Sequence, residues 1–508
     1  MKQKFKLLTI LTASIIGLST LFSCGGNNGG NIKDDLKYDE FGDPIFDNVK
    51  LNVLSIVGNP DNTYLERVNN MFNDYYSQNG LSAKITSVAN SDFYTQLANT
   101  INTDPDNAPD VIIIHSERVS KLANDKIILP MDSYFDLLKN NKFNEEDYFS
   151  NVLKECKYKD KLYGIPLDVH SGVWYYRKDI LEKNNIEIPT DLNSFIKCCN
   201  ELIKKYKAGE LFTRAMDKVN SANCEWTLTR DFGKSYSPVV MSSSGGIEAG
   251  WIPQTAVFQN GGTLTDESGY PKWNTDGLKE IMQLLRDFQT GTNSLTNRNI
   301  SYEGNFVSDD NDYNTVWSKL SSGEAVFSCE GPWWAESRLN EYNSVLANRE
   351  DLDGNKYQPL GILNMSKLYT FDQDSAYSKS IYGVGHCFSI CKTVKSKTKL
   401  VAASLYSKFM SENSTDYLQG GHLPANKKVY NSEQFRSKDY YKDYVQYLGD
   451  PEDYKMLGNT SHYSAVYETL KSLYMDVFTK SKNNISIDQL VETRFKEAVE
   501  QIKSTEEL

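Results

Sequence analysis

Histidine is scarce in this chain, five residues in 508. No His-Glu-x-x-His segment occurs, so the helical zinc-hydrolase pattern is excluded. No Gly-x-Ser-x-Gly elbow and no Cys-x-x-Cys pair occur either, which removes the common signatures of serine hydrolases and dithiol oxidoreductases. The small-residue run Ser242 to Gly246 is not followed by Gly-Lys-Ser/Thr, so it is not a phosphate loop. Positive charge is in deficit, 55 Lys and Arg against 67 Asp and Glu, for a net charge of −12. An acidic body excludes nucleic acid as the natural partner and resists adsorption to an anionic membrane. Nothing after residue 24 is apolar long enough to span a bilayer, which takes about 20 residues. No internal repeat is present.

What is present begins at the first residue. Lys2, Lys4 and Lys6 form a basic head, and Leu7 to Phe22 run apolar. These are the first parts of a secretory signal. The cut falls in Leu21-Phe22-Ser23-Cys24, which resembles a bacterial lipobox, with Phe22 in place of a smaller residue. The resemblance implies diacylglycerol on the Cys24 thiol, cleavage after Ser23, and anchorage to the membrane through lipid alone. Two acyl chains hold firmly where one is marginal, at about 0.8 kcal/mol per buried CH₂. The glycines and asparagines from Gly25 to Gly30 predict a flexible tether over 24–46, with order beginning near Asp47. The seven remaining cysteines are Cys156, Cys198, Cys199, Cys224, Cys329, Cys387 and Cys391. They read as buried free thiols, with one disulfide left open outside the cell.

Along the body, Leu51–Val57 is strand-like, and apolar residues from Tyr64 to Tyr75 recur at helical spacing. A strand near Lys84–Val88, a helix over Phe93–Ile101 and the apolar run Val111–Ile114 complete a βαβ series with a parallel sheet. Ligands of such sheets bind beyond the carboxyl ends of the strands. That rule places Asn59, Asp61, His115, Ser116 and Glu117 at a site edge. Further on, Val173–Tyr176 is strand-like and Asp191 caps a helix reaching Tyr206. Amphipathic helices follow at Leu278–Phe288 and Val401–Met410. The tail from Ser464 to Ile502 reads as helical, with Ser486 as an N-cap. Loops are expected at 213–224, 233–250 and 290–315.

Several stretches, in order, resemble one family. Ala108-Pro109-Asp110-Val111 and Ile128 to Asp132 come first. Asp160 to Pro166 and Trp174 to Asp179 follow, with Asp160 and Arg177 departing from the usual Gly and Asn. Pro189 to Phe195 is next, where Leu192 and Asn193 depart. Ser322 to Val326, Glu330 to Trp333, Gly385 to Ile390, Lys399 to Met410 and Gly421 to Ala425 complete the set. Together they span about residues 50–430. The chain resembles an extracellular solute-binding protein, family 1 and maltose-binding type, of a carbohydrate ABC transporter in lipoprotein form. The resemblance implies an α/β fold of two lobes joined by three crossings, near Pro166–Val169, Tyr382–His386 and Leu423–Lys427. The N-terminal lobe would be 47–166 plus 386–424, and the C-terminal lobe 169–383 plus 427–508. It implies a monomer with a carbohydrate ligand and permease partners, and no cofactor or metal.

Sugar sites need carboxylates and amides for ring edges and aromatic planes for ring faces. Trp333 and Trp334 are the candidate platforms, with at least one of them expected to pack in the core. Glu330 belongs to the same loop. Asp168 and His170 follow the first crossing. Glu117 and Asn59 sit at first-lobe strand ends, and Ser243 and Trp251 in a small-residue loop that contacts ligand in some relatives. Trp174 reads as core, and His386 and His422 as structural. Three rival readings stand beside this one: a glycan-active enzyme with a carboxylate pair, a binder of another solute such as iron through Tyr175-Tyr176, and a surface sensor or adhesin.

Overall fold

The computed structural model describes residues 32–88, 90–216, 224–229, 236–242, 245–307, 313–346, 358–458, 460–479 and 485–506. The signal, Cys24, the tether residues 25–31 and Ser243 lie outside the described residues. Residues 32–46, expected within the tether, instead lie on the body. Lys33 donates its backbone N–H to the Lys395 carbonyl, and Asp35 accepts from Ser396 and Thr398. Lys37–Tyr38 also pairs with Pro44–Ile45 as a small hairpin.

The elements that position the site run as follows. First come β1 (Val49–Ser55), α1 (Asp61–Tyr76), β2 (Leu81–Ser87), α2 (Asn90–Thr103), β3 (Val111–His115) and β4 (Ile128–Leu129). Then come β5 (Ile165–Pro166), β6 (Asp168–Val169), β7 (Val173–Arg177), α3 (Leu192–Ala208), β8 (Val239–Val240), α4 (Ile247–Gln259) and α5 (Asp276–Thr290). Next are β9 (Phe327–Glu330), α6 (Ala335–Leu346), β10 (Leu360–Asn364), β11 (Ile381–Tyr382), β12 (His386–Cys391) and α7 (Lys397–Glu412). Last are β13 (Leu423–Pro424), β14 (Tyr454–Lys455), α8 (Tyr463–Thr479) and α9 (Ile487–Glu506).

Two mixed sheets follow, one in each lobe. The first has the order β2-β1-β3-β12-β4, with β5 also on β12. β1, β2 and β3 are parallel, as the βαβ series predicts, and β12 enters antiparallel between β3 and β4. Val111 to Ile114 are fully buried, because helices cover both faces of a sheet built by crossovers. The second sheet has the order β8-β9-β7-β10, and β7 is antiparallel to both neighbours. The chain leaves the first sheet after β5, joins the second at β7, and returns at β12. Between the sheets, β6 pairs with β13 and His170 bridges to Val384.

Local signals set the helix ends. Asp191 accepts from the Ser194 N–H in a capping box, and Gly209 ends α3 in the left-handed region that glycine adopts without strain. Ser486 accepts from the Gln489 N–H ahead of α9. One expected loop is part helix: 233–250 gives way to α4 at Ile247. Its residues from Glu248 to Gln259 are buried all round, so no amphipathic period marks it. All seven cysteines of the body are buried, and among the described residues no disulfide joins Cys156, Cys198, Cys199, Cys329, Cys387 or Cys391. Among the described residues no helix is long and apolar enough to cross a membrane.

Candidate functional site

A cleft of about 530 Å³ opens between the two sheets. That size falls in the usual range of small-molecule sites, about 300–1,000 Å³. One wall comes from the carboxyl ends of β1 and β3, as the strand-end rule requires: Asn59, Asp61, His115, Glu117 and Arg118. The facing wall carries Trp251 of α4, Trp333 and Trp334 after β9, and Tyr463, Tyr467 and Glu468 of α8. The floor is His170, Val384, His386 and His422, where the chain passes between lobes.

The three tryptophans differ in their support. Trp333 is half-buried and belongs to neither hydrophobic core. Its ring meets that of His170 edge-on at 5.8 Å. Glycine at 331 is required for this placement, since a Cβ there would run into the Trp333 ring. Trp334 packs against the first core, and the Arg338 guanidinium lies 5.5 Å from its ring. Trp251 is in a helix rather than the expected loop. It is buried in the second core and lies over His170 at 5.8 Å. Gly250 beside it lets α8 approach, because a Cβ there would meet the Tyr467 hydroxyl.

The polar groups of the first wall are short of partners. Asp61 Oδ1, Glu117 Oε2 and Arg118 Nε are buried with no hydrogen-bond partner, as is the Tyr382 hydroxyl at the cleft. Burial pushes the Glu117 carboxyl up to about 7 against the pull of Arg118. Arg118 itself lies over the Tyr463 ring at 4.1 Å, joining the two walls by a cation–π contact.

Asp168 and Glu330 do not reach the cleft. Asp168 is fully buried beneath its floor. It accepts from the His386 backbone N–H at 2.9 Å and from the Tyr417 hydroxyl at 2.6 Å. Its carboxylate also faces His386 Nδ1 at 2.9 Å and His170 Nδ1 at 3.3 Å. Burial opposes its charge, but the neighbouring His386 and His422 outweigh that and hold it well below the usual carboxylate range. Glu330 is buried and accepts from the Gly331 N–H at 2.8 Å, which fixes the turn that carries Trp333. The iron candidates Tyr175 and Tyr176 are core residues. The Tyr175 hydroxyl donates to the Gly331 carbonyl, and Tyr176 packs in the second core.

Sequence reading missed Arg118, Tyr382, Tyr463, Tyr467 and Glu468. Tyr463 and Tyr467 are four apart on a helix and stack at 5.2 Å, a spacing that reads as an ordinary core face. His386 and His422, read as structural, are at the cleft floor.

Two α/β lobes around a cleft lined by indole and carboxylate define a two-lobed solute-binding protein. The chain belongs to the bacterial extracellular solute-binding protein family, whose sequence pattern matches residues 70–454. Comparison with curated proteins by sequence finds no match. Solved structures do match the fold. The GacH receptor of Streptomyces glaucescens, solved unliganded and with acarbose and an acarbose homolog, is 14% identical at a TM-score of 0.61 over 88% of this chain and 96% of that one. A maltose-binding periplasmic protein of Listeria monocytogenes, in complex with maltose, is 15% identical at 0.60 over 90% and 98%. A maltose/maltodextrin-binding domain of Bdellovibrio bacteriovorus, bound to maltotriose, is 16% identical at 0.60 over 90% and 100%. At these identities the likeness is one of fold.

Proposed function

We propose that the protein captures a sugar or oligosaccharide between its lobes and delivers it to the permease of an ABC importer. One observation carries this reading: an indole committed to neither core, Trp333, stands in the same cleft as the unpartnered carboxylate oxygens of Asp61 and Glu117. A pyranose presents C–H groups on its face and hydroxyls on its edge, and this pairing complements both. Fold relatives that carry maltose or maltotriose support it. In this reading Trp333 and Trp334 are the platforms, and Asn59, Asp61 and Glu117 take hydroxyls. His170 lies at the floor and Trp251 in the facing wall, while Asp168 and Glu330 position other groups. Ser243 belongs to the same set by its resemblance alone. The lobes divide at 166–169, 382–386 and 423–427 and close on these crossings. The protein acts by binding and not by turnover, as a monomer. A lipid on Cys24 holds it at the outer face of the cell membrane, within reach of its permease.

A thermal-shift screen against mono- and oligosaccharides tests the ligand class. A bound sugar at 100 times its Kd adds about 2.7 kcal/mol of stability. A folded protein that shifts with no carbohydrate refutes the sugar reading. Palmitate labelling tests the anchor: label is expected on the wild type and absent from Cys24→Ser, which should appear in the soluble fraction.

A further inference from the structure

Four of the chain's five histidines, scattered from 115 to 422, line the cleft. Three of them and one carboxylate form a closed set. Asp168, His170, His386 and His422 each offer one ligand atom, and the four atoms lie within 4.8 Å of one another. All four side chains are more than nine-tenths buried. We infer that this His₃Asp cluster is a binding site for one divalent transition cation of the zinc class.

Donor chemistry supports the assignment. Imidazole nitrogen with a single carboxylate oxygen is a set that zinc accepts in four-coordinate form. With ligands about 2.0–2.1 Å from the metal, neighbouring ligand atoms of a tetrahedron lie roughly 3.4 Å apart. The spacings to one oxygen, Asp168 Oδ2, bracket that value, with His386 Nδ1 at 2.9 Å and His422 Nδ1 at 3.9 Å, while His170 Nδ1 lies 3.3 Å from the other oxygen, Oδ1. A second observation is independent of the clustering. His422 Nδ1 is buried with no hydrogen-bond partner, although it faces Asp168, while Nε2 of the same ring is engaged by Asp61 at 3.3 Å. A ring oriented by a carboxylate on one nitrogen, with the other nitrogen left open, is the arrangement of a metal-ligating histidine. The carboxylate is likewise oriented, by the Tyr417 hydroxyl and the His386 N–H.

The placement gives the ion a role. His170 follows β6, His422 precedes its partner β13, and His386 opens β12. One ion would therefore pin all three lobe crossings at the pivot of closure. This role does not depend on which solute fills the cleft above.

The test uses untagged protein, stripped with chelator, loaded with zinc chloride and passed through gel filtration. One zinc per chain should be retained, with a raised unfolding midpoint. Asp168→Asn and His422→Gln should each weaken zinc binding at least tenfold, while His462→Gln, outside the cluster, keeps one zinc. X-ray absorption on the zinc-loaded wild type should count three imidazoles and one oxygen, which serves even if a cluster variant fails to fold. Folded wild type that retains no zinc overturns the inference. So does a retained zinc with any other ligand count, or one that survives both cluster substitutions.

Discussion

Replacing Trp333 with alanine should separate ligand affinity from stability. Trp333 lines the cleft, and its ring belongs to neither core. A sugar ring laid on that face removes roughly 60 Å² of apolar surface from water, about 1.5 kcal/mol at 25 cal/mol per Å². That corresponds to about a tenfold rise in Kd. Unfolding in urea should change by less than about 1 kcal/mol, as for other losses outside a core. Trp334→Ala is the contrast. Its half-buried ring packs on the first core beneath Arg338, so truncation should cost about 2–3 kcal/mol of stability, less than the loss of a fully buried large side chain. Calorimetric titration with the best carbohydrate from the screen reads affinity, and urea unfolding reads stability. If Trp333→Ala binds within twofold of wild type, or loses as much stability as Trp334→Ala, the platform assignment is wrong.

Two further outcomes follow from buried charge. Arg177 and Arg214 both ion-pair with Asp179 inside the second lobe, at 2.8 Å and almost fully buried. Asp179→Ala leaves two buried guanidiniums without that carboxylate and should cost about 3–5 kcal/mol in urea unfolding; a loss under 1 kcal/mol would contradict the network. Burial pushes the Glu248 carboxyl up to about 8, although the Ser242 N–H donates to it. A raised acid keeps its proton in the folded state while the unfolded chain has lost it. Between about pH 4.5 and 8 this group therefore makes stability fall as pH rises, by up to about 1.4 kcal/mol per unit. Wild type measured against Glu248→Gln should lose ground steadily from pH 5 to 8, and parallel curves would show that the carboxyl is not protonated in the fold.

Much of the fold is legible in the chain because its signals are local. The apolar run at 111–114, the Asp191 cap and the amphipathic face of α5 each lie within a few residues, and the structure has them where the pattern puts them. Glu117 and Asn59 reach the cleft because the end of a parallel strand is itself a local feature. α4 escaped detection because it is buried on every side and carries no period.

What the sequence determined alone is the elements with a clear local period, the solute-binding family and the indoles of the Gly331-Pro332-Trp333-Trp334 turn. What only the tertiary structure decided is which of those groups share a space. Residues 168, 170, 386 and 422 are separated by up to 254 positions, and no spacing rule connects them. They meet because β12 inserts between β3 and β4 while β6 pairs with β13. Strand pairing between distant segments is set by the packing of whole sheets, so the histidine cluster exists only once these distant segments have paired.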